Sequence, residues 1–263
     1  MGGYTIPRIL KEKTLGDNEE NKLLIAKITD KIKTSRTQNK ITNSYFLNEF
    51  QISMVEKQLL KIQEKQYFFF GGYDEATRKI LVSYPDKLEK DTVIDNINDI
   101  INAIKIELPK EIQGELKHKD YLGILMSFGL SRERIGDIIV YNNRAYIIVL
   151  KENAEYIKTS FEQERKFKKA KIEIVNLSKI EPKSIEYDNI NISVNSLRLD
   201  NIISEILKTS RKIAQEYLEQ EKVYINYYEE TKSSKTIKEK DILVIRGKGK
   251  YIIESFLGRN KKR

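Results

Sequence analysis

The sequence predicts an α+β chain in three parts, and three patterns carry that prediction. Between Asp99 and Leu177 the apolar residues alternate between strand-like and helix-like spacing in the order β-α-β-β-α-β. Between Arg198 and Lys222 two short amphipathic helices precede strand-like runs. Ahead of Pro85 two helical stretches lead into a pair of short strands. A chain of 263 residues, 40% hydrophobic and 33% charged, has length for several cores and a surface rich in charge. It has no Cys, which excludes disulfides and thiolate chemistry. Met1 to Leu10 lacks the apolar centre of a signal peptide, and no apolar run approaches the roughly 18 to 20 residues of a membrane span, so a cytoplasmic location is expected.

In the N-terminal part, an α/β unit expected over residues 1–85, Leu23, Leu24, Ile28 and Ile32 mark a helix from Asp17 to Lys33. Thr34 to Thr42 reads as a polar loop, and Ile52, Val55, Leu59, Leu60 and Ile62 supply the buried side of a helix from Ser44 to Glu64. A strand at Tyr67-Phe68-Phe69-Phe70, a connection loosened by Gly71-Gly72 and a strand at Lys79 to Tyr84 follow, closed by Pro85-Asp86. The three Phe residues offer either a base-stacking platform or two faces of a buried sheet, and the buried reading is preferred.

The middle part, residues 86–180, has strands at Ile101 to Leu108, Asp137 to Tyr141, Arg144 to Leu150 and Lys171 to Leu177. Helices at Lys119 to Gly129 and Asn153 to Glu164 separate them, which is the ferredoxin-like order. Asn142-Asn143 suits a tight hairpin because Asn tolerates positive φ. Sheets of this order bind RNA when their central strands carry stacking aromatics, but Gly136 to Val140 is largely aliphatic, so a scaffold or protein-contact role is expected. Arg165-Lys166-Phe167-Lys168-Lys169 reads as a solvated helix end, with phosphate contact as the alternative. Residues 181–191 look like a linker.

From residue 192 onward the chain turns basic. Residues 193–263 hold 16 Lys and Arg against 10 Asp and Glu, whereas residues 1–192 hold 32 against 29. About a quarter of the chain thus carries two-thirds of the net +9, the distribution expected where cations neutralise phosphates. Leu199, Ile202, Ile203, Ile206 and Leu207 form one helical stripe, with Asp200 in the first turn. Ser210 is placed to cap a second helix. Its Ile213, Ala214, Tyr217 and Leu218 gather on one side, and Arg211, Lys212 and Gln215 point outward on the other. Val223 to Asn226 and Ile242 to Ile245 read as strands. Arg246-Gly247-Lys248-Gly249-Lys250 is a turn in which glycines permit close approach and cations suit phosphate.

Arg198-Leu199-Asp200, Ser210-Arg211-Lys212, Val223 through Asn226 and Asp241 through Gly247 together resemble the S4 RNA-binding domain. The resemblance implies RNA contact by Arg198, Arg211, Lys212 and Gln215, with Lys222, Arg246 and Lys248 at the rim. Asp200, Ser210, Asn226 and Lys250 complete the candidate set. Glu221 and Lys240 stand where that family usually has Gly, which implies looser turns or a less comfortable backbone. Phe69 to Ala76 with Tyr84-Pro85-Asp86, His118 to Gly123 and Arg132 to Ile138, set ahead of an S4-like end, are similar to the YlmH family of bacterial RNA-binding proteins. That likeness implies a cytoplasmic, non-catalytic protein that is monomeric off the ribosome. It also implies binding to ribosomal RNA or tRNA on the large ribosomal subunit during rescue of stalled translation, with a link to cell division in some members.

Catalysis finds little support. His118 is the sole histidine, so no metal or other cofactor is expected, and a capping or loop hydrogen bond is its expected role. No Gly-x-Ser-x-Gly, GxxxxGK[ST] or GxGxxG motif occurs. Arg198-Leu199-Asp200 also resembles the stretch around the catalytic aspartate of RNA pseudouridine synthases, but here it opens the S4-like helix and too few residues follow for a catalytic domain. Lys232-Ser233-Ser234-Lys235 resembles the ATP loop of tyrosyl-tRNA synthetases without their nucleotide domain. The other rival is a division-linked adaptor whose basic face meets protein or anionic lipid.

Overall fold

The computed structural model describes residues 19–181 and 188–257. The expected linker therefore falls largely outside the described residues. The elements in chain order are α1 (Glu19–Gln38), β1 (Thr42–Asn43), α2 (Glu49–Lys61), β2 (Tyr67–Phe70), β3 (Ile80–Ser83) and α3 (Lys90–Asp95). They continue as β4 (Ile101–Glu107), α4 (His118–Ser127), β5 (Ile135–Val140), β6 (Arg144–Leu150), α5 (Lys151–Gln163) and β7 (Lys171–Val175). The chain ends in α6 (Leu199–Leu207), α7 (Arg211–Glu219), β8 (Val223–Ile225), β9 (Tyr228–Glu229), β10 (Ile242–Ile245) and β11 (Gly249–Ile252). The class is α+β, with three antiparallel sheets. No helix among the described residues is long and apolar enough to cross a membrane.

The chain divides into two compact units, one within residues 22–185 and the other within 186–263. In the first, β4 through β7 form a sheet of order β5-β6-β4-β7. Because side chains alternate across a strand, Ile104, Ile106, Ala145, Ile147 and Val149 face one way and pack on Tyr121 and Leu125 of α4 and on Ile157 and Phe161 of α5. Ile101, Ala103, Tyr146, Ile148 and Leu150 face the other way and pack on Phe46, Phe68, Ile80, Val82 and Tyr84. Burying each such aliphatic side chain stabilises by roughly 1.5–3 kcal/mol. The boundary expected near Pro85 runs through this shared core, so both sides of that position are held by one hydrophobic cluster.

Several local expectations change. α1 continues to Gln38 through the stretch read as a loop, because Arg36 reaches Glu64 at 2.8 Å and Ser35 is buried. α2 begins only at Glu49, where Asn48 and Gln51 cap each other reciprocally. Phe68 is buried and Phe69 and Phe70 pack on two different cores, as the sheet reading of that run expects. Neither Asn142 nor Asn143 adopts positive φ. Their carbonyls instead accept from Gly114 and Leu108.

The second unit places α6 and α7 on one face of a sheet of order β11-β10-β8-β9. Leu199, Ile202, Ile203, Ala214 and Leu218 from the helices meet Val223, Ile225, Leu243 and Ile245 from the strands, with Ile237 beneath the connecting loop. That loop also satisfies the open end of α6, since Ser233 and Lys235 carbonyls accept from the Asp200 and Leu199 amides. Glu221 and Lys240 have φ of 55° and 67°. The uncomfortable backbone implied by the absence of Gly at these two positions is therefore present, at a cost of about 1 kcal/mol each.

Candidate nucleic-acid interface

The start of α6 and the start of α7 meet at Asp200, whose residue is fully buried. Arg198 grips the carboxylate in a fork, Nε to Oδ1 at 3.1 Å and Nη2 to Oδ2 at 2.9 Å. Arg211 donates from Nη2 to Oδ2 at 2.7 Å, and the Asn201 amide donates to Oδ1 at 3.0 Å. Asp200 cannot touch RNA: no part of it is exposed, and the direct contact expected from the sequence is corrected to a positioning role. The hydrogen bonds from Arg198, followed by those from Arg211, hold its carboxyl well below the usual carboxylate range.

The same carboxylate engages two of the three cations that were expected to point freely at a partner. The Arg198 and Arg211 side chains nonetheless stay 39% and 54% exposed, so a locked pair of guanidiniums with a surplus of one positive charge remains at the surface. Fixing a guanidinium before it binds lowers the side-chain entropy lost on contact. Ser210 caps α7 by accepting from the Ile213 amide at 3.3 Å. Lys212 is exposed, Gln215 is half-buried, and Ile213, expected on the buried side, is 42% exposed.

Asn226 is likewise removed from the contact set. Its amide donates to Asp241 Oδ1 and its carbonyl accepts from the Ile242 amide, both at 2.9 Å, which ties β8 to β10. Arg246 is half-buried, with Nη2 donating to the Tyr224 hydroxyl at 3.2 Å and its backbone amide bonded to the Lys222 carbonyl. Burial raises the Tyr224 hydroxyl pKa, and Arg246 acts against that rise. Lys248 is exposed at the glycine turn.

Sequence reasoning missed the tyrosines. Lys222 lies 5.7 Å from the Tyr217 ring centroid, Arg246 5.9 Å from Tyr224 and Lys250 5.2 Å from Tyr227. Tyrosine and lysine at cross-strand neighbouring positions were the available signal, but the pairings depend on register.

In the first unit, the stretches at 73–78 and 132–137 converge. Asp137 accepts from the Tyr73 hydroxyl (2.9 Å), the Thr77 amide (2.7 Å), the Thr77 hydroxyl (2.8 Å) and the Arg78 amide (3.1 Å). Arg78 donates onward to the carbonyls of Ile135 and Phe46, and Arg132 to those of Ile135 and Gly136. Burial, then Arg132, lowers the Arg78 pKa to about 10, so it stays charged at neutral pH. Partial burial, then Arg132, lowers the His118 pKa, with Asp137 opposing. The cap of α4 is made by Asp120, which accepts from the Lys117 amide, and not by His118. Among the described residues no cluster of His, Asp and Glu could hold a metal.

Residues 99–181 match a family model described as "Putative RNA-binding domain in YlmH". The chain is also 27% identical over 195 residues to the "Ribosome-associated protein quality control protein P2" of Bacillus subtilis (strain 168), covering 74% of this chain and 73% of that protein. The chain belongs to the YlmH family. A solved structure titled as the cell division protein ylmH from Streptococcus pneumoniae is 16% identical, with a TM-score of 0.48, over 65% of this chain and 100% of that one. The YlmH model falls on the part for which a scaffold role was expected, and its description runs against that expectation. The sheet face that would stack bases in an RNA-recognition motif is nevertheless largely covered by the Phe46, Phe68 and Tyr84 cluster. Its polar end is charge-balanced, with Lys105 on Glu107, Lys171 on Glu173 and Arg144 on Glu181.

Proposed function

We propose that this chain is an RNA-binding protein whose C-terminal unit, read as an S4 domain, docks folded ribosomal RNA or tRNA, on the large ribosomal subunit, in rescue of stalled translation. The observation that carries the reading is the paired fork of Arg198 and Arg211 on buried Asp200, with Lys212 exposed on the same helix as Arg211. Guanidiniums held in a fixed plane match phosphate geometry, so the surface reads backbone shape more than base sequence. The family match and the ribosome-associated name of the Bacillus relative support the choice of RNA over other anions. The middle unit is read as a ferredoxin-like scaffold, the protein as cytoplasmic and monomeric off the ribosome, and the whole as having no catalytic activity.

Lys212 has no partner among the described residues, so Lys212→Ala is expected to weaken binding of a ribosomal RNA or tRNA hairpin while stability changes by less than about 0.5 kcal/mol. Arg211→Ala removes a bond to a buried carboxylate and is expected to lower affinity and melting temperature together. Fluorescence anisotropy alongside thermal melts checks both, and unchanged affinity in both variants contradicts the assignment. Anionic vesicles added as competitor separate RNA from lipid, since vesicles that displace the hairpin would favour the adaptor reading.

The family model favours a second reading, in which the middle unit itself contacts RNA. Arg165, Lys166, Lys168 and Lys169 are exposed around Phe167, which is buried against Phe161 and Tyr121 and fixes the turn that presents them. A phosphate contact there needs no access to the covered sheet face.

A further inference from the structure

Ile225 and Tyr228 pair across the β8–β9 hairpin, so Asn226 and Tyr227 are its two turn residues, with φ of 50° and 68°. Two left-handed residues in a two-residue loop make a type I′ turn, whose usual sequence is Asn-Gly. Asn226 obeys that rule and is locked by its two bonds to the Asp241–Ile242 segment. Tyr227 breaks it, because a bulky side chain in the left-handed region meets its own backbone where glycine would not. Nor is the ring repaid by burial: Tyr227 is absent from the residues that pack on this unit's core, whereas Tyr217 and Tyr251 are present. It is half-buried at the hairpin corner, with the Lys250 ammonium 5.2 Å from its ring centroid.

A strained aromatic kept outside the core, with a cation beside it, matches what an unpaired nucleotide requires. The ring stacks on a base of any identity, and the ammonium meets the adjoining phosphate. We propose that Tyr227 is a stacking post for one unpaired RNA base, with Lys250 as its phosphate partner. The inference rests on the RNA-binding reading above and adds to it a single-stranded element beside the folded RNA.

Two full-length variants test it, Tyr227→Gly and Tyr227→Phe, each titrated with a hairpin carrying an unpaired purine loop and with a blunt duplex of the same stem. Glycine relieves the turn, so the C-terminal unit's melting midpoint should rise by about 4–8 °C while affinity for the looped hairpin falls about tenfold. Affinity for the blunt duplex should hold, and Tyr227→Phe should bind both RNAs as the parent does. Gain of stability with loss of affinity is a pair of signs that a merely structural tyrosine would not give. Undiminished binding of the looped hairpin by Tyr227→Gly, equal losses on both RNAs, or no rise in the midpoint each overturns the proposal while leaving RNA binding intact. A parent protein that binds neither RNA overturns the underlying reading and this inference with it.

Discussion

Replacing Asp137 with Ala is expected to destabilise the 22–185 unit by about 3–5 kcal/mol, a large share of the roughly 5–15 kcal/mol that holds a typical domain. Its carboxylate accepts four hydrogen bonds, two of them from the consecutive amides of Thr77 and Arg78. Removing the acceptor strands those amides in a site that is itself 8% exposed, and a buried unsatisfied amide costs about 1–3 kcal/mol. Arg78 and Arg132 would also lose the nearby carboxylate that offsets their mutual repulsion. The bonds join the β2–β3 connection to β5, so they tie together the segments on either side of Pro85. Urea unfolding of the full chain should show the first unit's transition at markedly lower denaturant, with the second unit's unmoved. A transition that stays in place would contradict the role given to Asp137.

Asp200→Asn is expected to lower the second unit's stability by about 2–3 kcal/mol and to weaken RNA binding at the same time. An amide cannot accept on both oxygens, so one guanidinium loses its partner. The loss is smaller than for a fully buried pair because both arginines reach solvent. The pH dependence has a definite sign. The folded carboxyl is held below its unfolded value, so its contribution is complete above about pH 4 and is lost as pH falls toward the folded value. Parent and variant melts should therefore differ most near neutral pH and converge on acidification. A constant difference across that range would show that the ion pairs contribute nothing.

Much of the architecture was legible in the sequence because it is written in spacing. β6 was read with its observed ends, and the strands and helices from β4 to β7 were displaced by only a few residues, since alternation and helical periodicity act locally. α3, β9 and β11 were missed: each is short, and the two strands exist by virtue of partners elsewhere in the chain. The same limit governs the site. Read locally, Asp200 looks like a carboxylate favoured at a helix start, and nothing near it announces that Arg211 will close over it from the next helix. Helical projection put Ile213 inside, but a nine-residue α7 buries only the narrow stripe of Ala214 and Leu218. The positive φ at Glu221 and Lys240 was anticipated because turn geometry is set by a few adjacent residues.

Ultraviolet crosslinking of the full chain to ribosomal RNA and tRNA fragments, followed by mass spectrometry of the attached peptides, tests the central claim most directly. Crosslinks should concentrate on peptides spanning Arg198 to Lys250. Crosslinks confined to residues 99–181, around Arg165 to Lys169, would move the RNA-binding surface to the middle unit and contradict the account.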